Sequence, residues 1–239
     1  MHVGEGMATR RIYEDGTYAR LHPTWDSEDS PWKAAQILKI LERNQLRPVT
    51  ICEIGCGAGG ILKHLRDSMD EQSRFFGYEI SPHALELCGR QPGERLQFFL
   101  GDFLGEKESS YDLILAIDLI EHLEDYGHFL REIRSRSTYK IFHVPLEIFA
   151  LAALSRTFLP GQRERSGHLH FFTKDIILQV FRDLGYEVMD FFYTPGYQLS
   201  SWKTWTDLAL SVPRRALFPI SPDATVRWFG GYSLLVLAR

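Results

Sequence analysis

A chain of 239 residues, 44% hydrophobic and 24% charged, carries enough apolar material to bury a core and is not disordered. Its 27 Lys and Arg against 31 Asp and Glu leave a net charge of −4, which argues against a bulk electrostatic nucleic-acid binder. Three cysteines, Cys52, Cys56 and Cys88, cannot all pair and lack zinc-finger spacing, so free thiols in a reducing compartment are expected. The opening MHVGEGMATRR has no apolar signal-peptide core, and the longest apolar stretch, Ile148 to Leu154, is too short to span a bilayer. The expectation is a cytoplasmic protein.

Residues 1–30 read as a polar, irregular leader. Asp29-Ser30-Pro31 then offers an N-cap with Pro at the first helical position, predicting a helix from about Trp32 to Asn44. Beyond Pro48, apolar runs of strand length alternate with helical segments. The strands are Val49 to Ile54, Phe75 to Glu79, Leu96 to Leu100, Tyr111 to Ile117 and Tyr139 to Val144. The helices between them are Gly60 to Met69, Pro82 to Cys88 and Glu121 to Ser135. Near-continuous apolar strands are those covered on both faces, and the alternation predicts a doubly wound parallel sheet. Its ligand belongs outside the carboxyl ends of the strands.

Thr173 caps a helix running to about Leu184, which Gly185 ends. Tyr186 to Tyr193 and Tyr232 to Leu237 complete the set of strands, with a helix from Ser201 to about Leu210, before Pro213. The stretches at about 145–167 and 194–230 exceed plain connections and read as insertions over the ligand face of one domain, residues 31–239.

Ile51-Cys52-Glu53-Ile54-Gly55-Cys56-Gly57-Ala58-Gly59-Gly60 ends the first strand and opens a helix. Glycines allow a sharp turn and close backbone approach to a ligand, and the helix start adds free N–H groups. The pattern satisfies both GxGxxG and GxGxG. Glu53, two residues before the first glycine, suits a cofactor with a cationic amino-acid end better than a pyrophosphate. Glu79 ends the second strand, where a carboxylate accepts from ribose hydroxyls; that suits NAD and S-adenosylmethionine equally. Asp102 follows the third strand in Gly101-Asp102-Phe103, placed to accept from an adenine amino group.

Glu53 to Gly59, Phe76-Gly77-Tyr78-Glu79, Gly101-Asp102-Phe103, and Tyr111-Asp112-Leu113-Ile114 with Glu121-His122-Leu123 together resemble the class I S-adenosylmethionine-dependent methyltransferases. Residues 49–145 carry most of the resemblance. Gly167 to Thr173 and Leu184 to Val188 look like a later segment of small-molecule members, and Pro23 to Lys33 like bacterial members of unassigned substrate. The resemblance implies a Rossmann-like sheet of seven strands, mostly parallel, with helices on both faces and the last strand antiparallel. It implies that Gly55, Gly57 and Gly59 wrap the methionine portion and that Glu53 organises its amino group. Glu79 would hold the ribose, Ile80 would lie against the adenine, and Asp102 and Phe103 would hold the adenine. The backbone at Ile117 and Asp118 would face the methionine end.

Methyl transfer from a sulfonium is an in-line displacement that needs alignment and, for an oxygen or nitrogen nucleophile, a general base. His122, His143 and His168 are the candidate bases, with helix capping or packing as the structural alternative. His168 and His170 form an HxH pair suited to one strand face, but no third ligand accompanies them, so no metal is assigned. The absence of an Asn/Asp-Pro-Pro-Tyr/Phe motif and of a Pro-Cys dipeptide disfavours base amino-methylation and cytosine C5 methylation.

The acceptor is therefore expected to be a small molecule or a carrier-linked metabolite. Trp202, Trp205, Leu208, Ala209 and Val212 approximate one apolar helix face, with Arg163, Arg165, Arg214 and Arg215 nearby in sequence. This reads as a lid helix, or as a surface for an apolar acceptor with an anionic head, such as a lipid-linked or phosphorylated compound. Trp25 and Trp32 read as helix-entry packing or as a cover for the cofactor. Two other readings stand: a nicotinamide-dependent oxidoreductase, weakened by Glu53 and the lack of a Tyr-x-x-x-Lys pair, and a non-catalytic S-adenosylmethionine-binding module.

Overall fold

Every strand of the sheet takes its two faces from alternate residues of an apolar run. The computed structural model describes residues 20, 23–25, 27–89, 93–106, 110–196, 199 and 205–239. Its strands are β1 (Thr50–Ile54), β2 (Arg74–Glu79), β3 (Leu96–Leu100), β4 (Tyr111–Ile117), β5 (Ser137–Pro145), β6 (Val188–Pro195) and β7 (Tyr232–Ala238). Their order is β3-β2-β1-β4-β5-β7-β6, with β7 antiparallel to both β5 and β6 and the remaining pairs parallel. The sheet is thus the seven-stranded, mostly parallel, Rossmann-like methyltransferase arrangement that the sequence implies.

Cys52, Ile114 and Phe142 point to one face of the sheet, with Phe129, Leu130 and Ile133 of α4 (Tyr126–Ile133) and Ile177, Leu178 and Phe181 of α7 (Lys174–Asp183) packed over them. Their chain neighbours Ile51, Leu113 and Ile141 point to the other face. There they meet Ile37, Ile40 and Leu41 of α1 (Ser30–Arg43) and Ile61, Leu62 and Leu65 of α2 (Gly60–Ser68). Burying both residue classes removes the central strands' apolar surface from water, about 25 cal/mol for every Å² covered.

Local signals set most boundaries. Thr173 Oγ1 accepts from the Ile176 N–H at 3.2 Å, and Gly185 ends α7 in the left-handed region at φ +80. Ser81 caps the short α3 (Pro82–Leu87) in the same way. Asp29 precedes α1 without a side-chain cap bond, with Pro31 in the first turn.

Two expectations need correction. The helix expected from Glu121 is a short 3-10 turn at Ile120–His122, and α4 starts only at Tyr126, where the Asp125 carboxylate accepts from the His128 N–H at 2.7 Å. The helix expected to stop before Pro213 continues through it as α8 (Trp205–Leu217). Pro213 withholds one backbone donor, but the next turn is anchored by Arg214, buried and donating to the Phe229 carbonyl at 2.8 Å. The insertions hold α5 (Ala150–Leu154), α6 (Phe158–Ser166), α8 and α9 (Pro222–Phe229).

Candidate functional site at the carboxyl edge of the sheet

The strand order reverses between β1 and β4, and the glycine turn sits beside this crevice. The turn is fastened to β2. Tyr78 O accepts from the Gly55 and Cys56 N–H groups at 2.8 and 3.1 Å. Glu79 accepts from the Gly57 N–H through one oxygen and from the Ser81 N–H through the other, both at 2.9 Å. Burial pushes the Glu79 carboxyl up, and these N–H donors oppose that by stabilising the anion. Each oxygen keeps a lone pair for a further donor.

Gly59, at φ +69, is the turn's tightest point: a Cβ there would lie 2.3 Å from the Phe98 ring. A Cβ on Gly55 would lie 2.9 Å from Leu119 Cδ1, so the end of β4 abuts the turn. Trp25 lies on its other side, its ring 3.7 Å from where a Gly57 Cβ would stand.

Glu53, next to last in β1, lies beneath this turn at 2% exposure, and its Oε2 has no hydrogen-bond partner among the described residues. Burial holds its carboxyl well above the usual range, with the charge of Lys33 opposing. A buried carboxylate oxygen without a donor is costly unless a cationic or hydrogen-bonding group meets it.

Asp118 follows β4 at φ +49. Its carboxylate accepts from His143 Nδ1 at 2.6 Å and pairs with Lys33 Nζ at 2.8 Å, joining β5 and α1 to the crevice. Burial opposes ionisation, but His143 and Lys33 outweigh it and hold the Asp118 carboxyl far below the usual range. His143 is buried, and its Nε2 lies 2.8 Å from Thr194 Oγ1. Ile117 is buried in the core, and Ile80, next to Glu79, is half-buried.

The expected pair Asp102 and Phe103 divides. Asp102 is exposed after β3 and accepts from the Leu104 N–H at 3.0 Å. The Phe103 ring is 1% exposed, edge-on to Tyr78 and covered by the Arg136 guanidinium. Its ring is part of the core.

The other two candidate bases, His122 and His168, lie side by side. His122 Nδ1 donates to the Gly167 carbonyl at 3.3 Å, and His168 Nδ1 donates to Glu147 at 2.7 Å. Their rings meet edge to face at 4.8 Å. His170 turns away, with Nε2 3.2 Å from the Glu124 carbonyl and its ring against Tyr126. Residues 167–173 are not a strand, so the HxH spacing does not put both rings on one face.

A family model described as a methyltransferase domain matches residues 29–190, more than half of the chain. The chain belongs to the class I S-adenosylmethionine-dependent methyltransferase family.

Norajmaline N-methyltransferase of Rauvolfia serpentina is 30% identical over 107 residues, 42% of this chain and 36% of that protein. The chain thus matches about a third of that curated relative's length. Among solved structures, the magnesium protoporphyrin IX methyltransferase of Synechocystis PCC 6803 with bound SAH is similar in fold. Its TM-score is 0.61 at 15% identity, covering 96% of each chain. A plantazolicin methyltransferase in complex with a monoazolic desmethylPZN analog and SAH gives 0.61 at 14% identity, covering 96% of this chain and 92% of that one.

Within this methyltransferase fold, sequence reasoning missed Lys33, Thr194 and Glu147. Glu147 alone carried a signal: an ionisable residue within the apolar run from Val144 to Phe149. Among the described residues, no helix is long and apolar enough to cross a membrane.

Proposed function

We propose that the chain transfers the methyl group of S-adenosylmethionine to an oxygen or nitrogen of a small molecule or carrier-linked metabolite. One arrangement carries the reading: a donor-poor buried carboxylate, Glu53, lies beneath a glycine turn that Glu79 fastens. Glu53 then receives the cofactor's ammonium group, directly or through the turn. Glu79 offers its remaining lone pairs to the ribose hydroxyls, and Asp102 offers an acceptor to the adenine amino group. The methyl carbon is left at the β4 edge beside Asp118. The reaction then needs alignment more than activation.

His143, with both nitrogens engaged, acts as a positioning residue for Asp118. His122 and His168 face the acceptor side. Trp25 covers the glycine turn, supported by its ring lying 3.7 Å from where a Gly57 Cβ would stand.

The insertions supply the acceptor's surroundings. Val212, Ile220 and Trp228 are exposed on α8, α9 and the turn between them, which supports an acceptor with an apolar portion. Arg214 is buried, donates to the Phe229 carbonyl and packs against Gly231. Trp202 and the side chains of Trp205 and Leu208 lie outside the described residues.

Incubation with S-adenosylmethionine labelled in its methyl group, and with small-molecule extract, tests the reading. Label in a small organic product supports it; label confined to nucleic acid or protein overturns it. Equal turnover of an acceptor and of its head-group-only analogue would remove the apolar requirement.

A further inference from the structure

The turn after β4 holds a second donor-poor buried carboxylate. Glu121 is fully buried, and neither carboxylate oxygen has a hydrogen-bond partner among the described residues. Its ligand atom and those of His122 and His168 lie within 4.8 Å of one another. We propose that Glu121, His122 and His168 form a binding site for a divalent transition-metal ion of the zinc class.

Three observations carry it. The first is the orphaned carboxylate: a buried carboxyl is neutralised, paired, hydrogen-bonded or metal-bound, and neither oxygen of Glu121 has a hydrogen-bond partner among the described residues. The second is the tautomer. Each imidazole spends Nδ1–H on a protein acceptor, His122 on the Gly167 carbonyl and His168 on Glu147, which puts the lone pair on Nε2. An outer-shell carboxylate or carbonyl on the far ring nitrogen is the usual way a protein orients a metal-binding histidine. Gln162 in turn donates to the other oxygen of Glu147, fixing that support.

The third observation is the backbone clamp. The Glu121 carbonyl accepts from the Leu169 and His170 N–H groups at 2.8 and 3.1 Å. This pins the segment bearing His168 over Glu121, although the two lie far apart in sequence. Donors around a tetrahedral ion stand about 3.3 Å apart, so small side-chain adjustments close the site. One carboxylate and two imidazoles suit zinc-like ions better than magnesium or calcium, which prefer all-oxygen sites.

The role of the ion rests on the methyl-transfer reading above. Glu121 stands three residues past Asp118, on the acceptor side. An acceptor hydroxyl coordinated there gives its proton to solvent more readily. The resulting oxygen anion then forms a bond to the methyl carbon as the carbon–sulfur bond breaks, and the sulfonium leaves as a neutral thioether.

The test uses the full chain freed of metal by a chelator and titrated with zinc chloride, then with cobalt chloride, without cofactor. Expected are one zinc per chain and intense visible cobalt bands of low-coordinate histidine–carboxylate ligation. Glu121→Gln and His168→Asn should weaken zinc at least tenfold, Glu147→Gln about tenfold, and His170→Ala not at all. An octahedral aquo-like cobalt spectrum, or equal zinc affinity in wild type, Glu121→Gln and His168→Asn, overturns the site. If a variant loses its fold by circular dichroism, the wild-type cobalt spectrum decides. S-adenosylhomocysteine is titrated into the same samples: zinc binding without it leaves the metal site standing and defeats the methyl-transfer reading, and the converse does the reverse.

Discussion

The Glu79 carboxylate accepts a hydrogen bond from the Gly57 N–H at 2.9 Å, so the last side chain of β2 holds the turn that follows β1. Its second oxygen holds the Ser81 N–H at the start of α3. Hydrogen bonds to a charged partner contribute about 1.5–3 kcal/mol each, and truncation leaves buried donors unpaired. Glu79→Ala should weaken S-adenosylhomocysteine more than tenfold and lower the urea midpoint, with Glu79→Gln intermediate. Calorimetric titration beside urea unfolding checks this; unchanged affinity for Glu79→Ala would contradict it.

Glu53 trades stability for binding. Its folded carboxyl is held well above the ordinary value, chiefly by burial. A group raised on folding favours the folded state below its unfolded value of about 4.3, and that contribution is lost as pH rises through the folded value. At neutral pH, Glu53→Gln should therefore raise the melting temperature of the cofactor-free protein. It should also weaken S-adenosylmethionine by about tenfold. A variant less stable at pH 7.5, or one that binds undiminished, would count against this role.

Asp118 has the opposite sign. Burial works against its charge, yet His143 and Lys33 depress its folded value far below the ordinary one. Such a group contributes its full stability above the unfolded value of about 3.9 and loses it as pH falls from there toward the folded value. Asp118→Asn also suits the left-handed backbone at φ +49, so charge and bonding change more than strain. It should cost about 2 kcal/mol at pH 7, with the gap to wild type narrowing below about pH 4. Urea unfolding across pH 3 to 7 reads the gap; a constant one would refute the assignment.

Gly59→Ala places a methyl group 2.3 Å from the Phe98 ring at a backbone φ of +69. The left-handed backbone alone costs about 1–2 kcal/mol. Poor folding or lost cofactor binding is expected, with partial recovery when Phe98→Ala is added. A fully stable, cofactor-binding Gly59→Ala would show that the turn is not the constraint described.

Much of this was legible because local signals and the global pattern agree. The strands announced themselves as apolar runs between helical segments, and Thr173 and Gly185 marked both ends of α7. Glu53, Glu79 and Asp102 stood out as carboxylates at strand ends. What failed depended on distant partners. Pro213 reads as a stop until Arg214 is seen anchored on Phe229. Sequence alone does not show that the Phe103 ring is enclosed by Tyr78 and Arg136. α6 has no apolar face to reveal its period, since none of its residues is buried. His168 reads as half of a pair with His170 because only the fold brings Glu121 and His122 to it.

The central claim is the cofactor. Purified protein titrated calorimetrically with S-adenosylmethionine, S-adenosylhomocysteine and NAD tests it most directly. One site for each of the first two, and no heat from NAD, are expected. NAD binding alone, with both sulfur compounds silent, would contradict it.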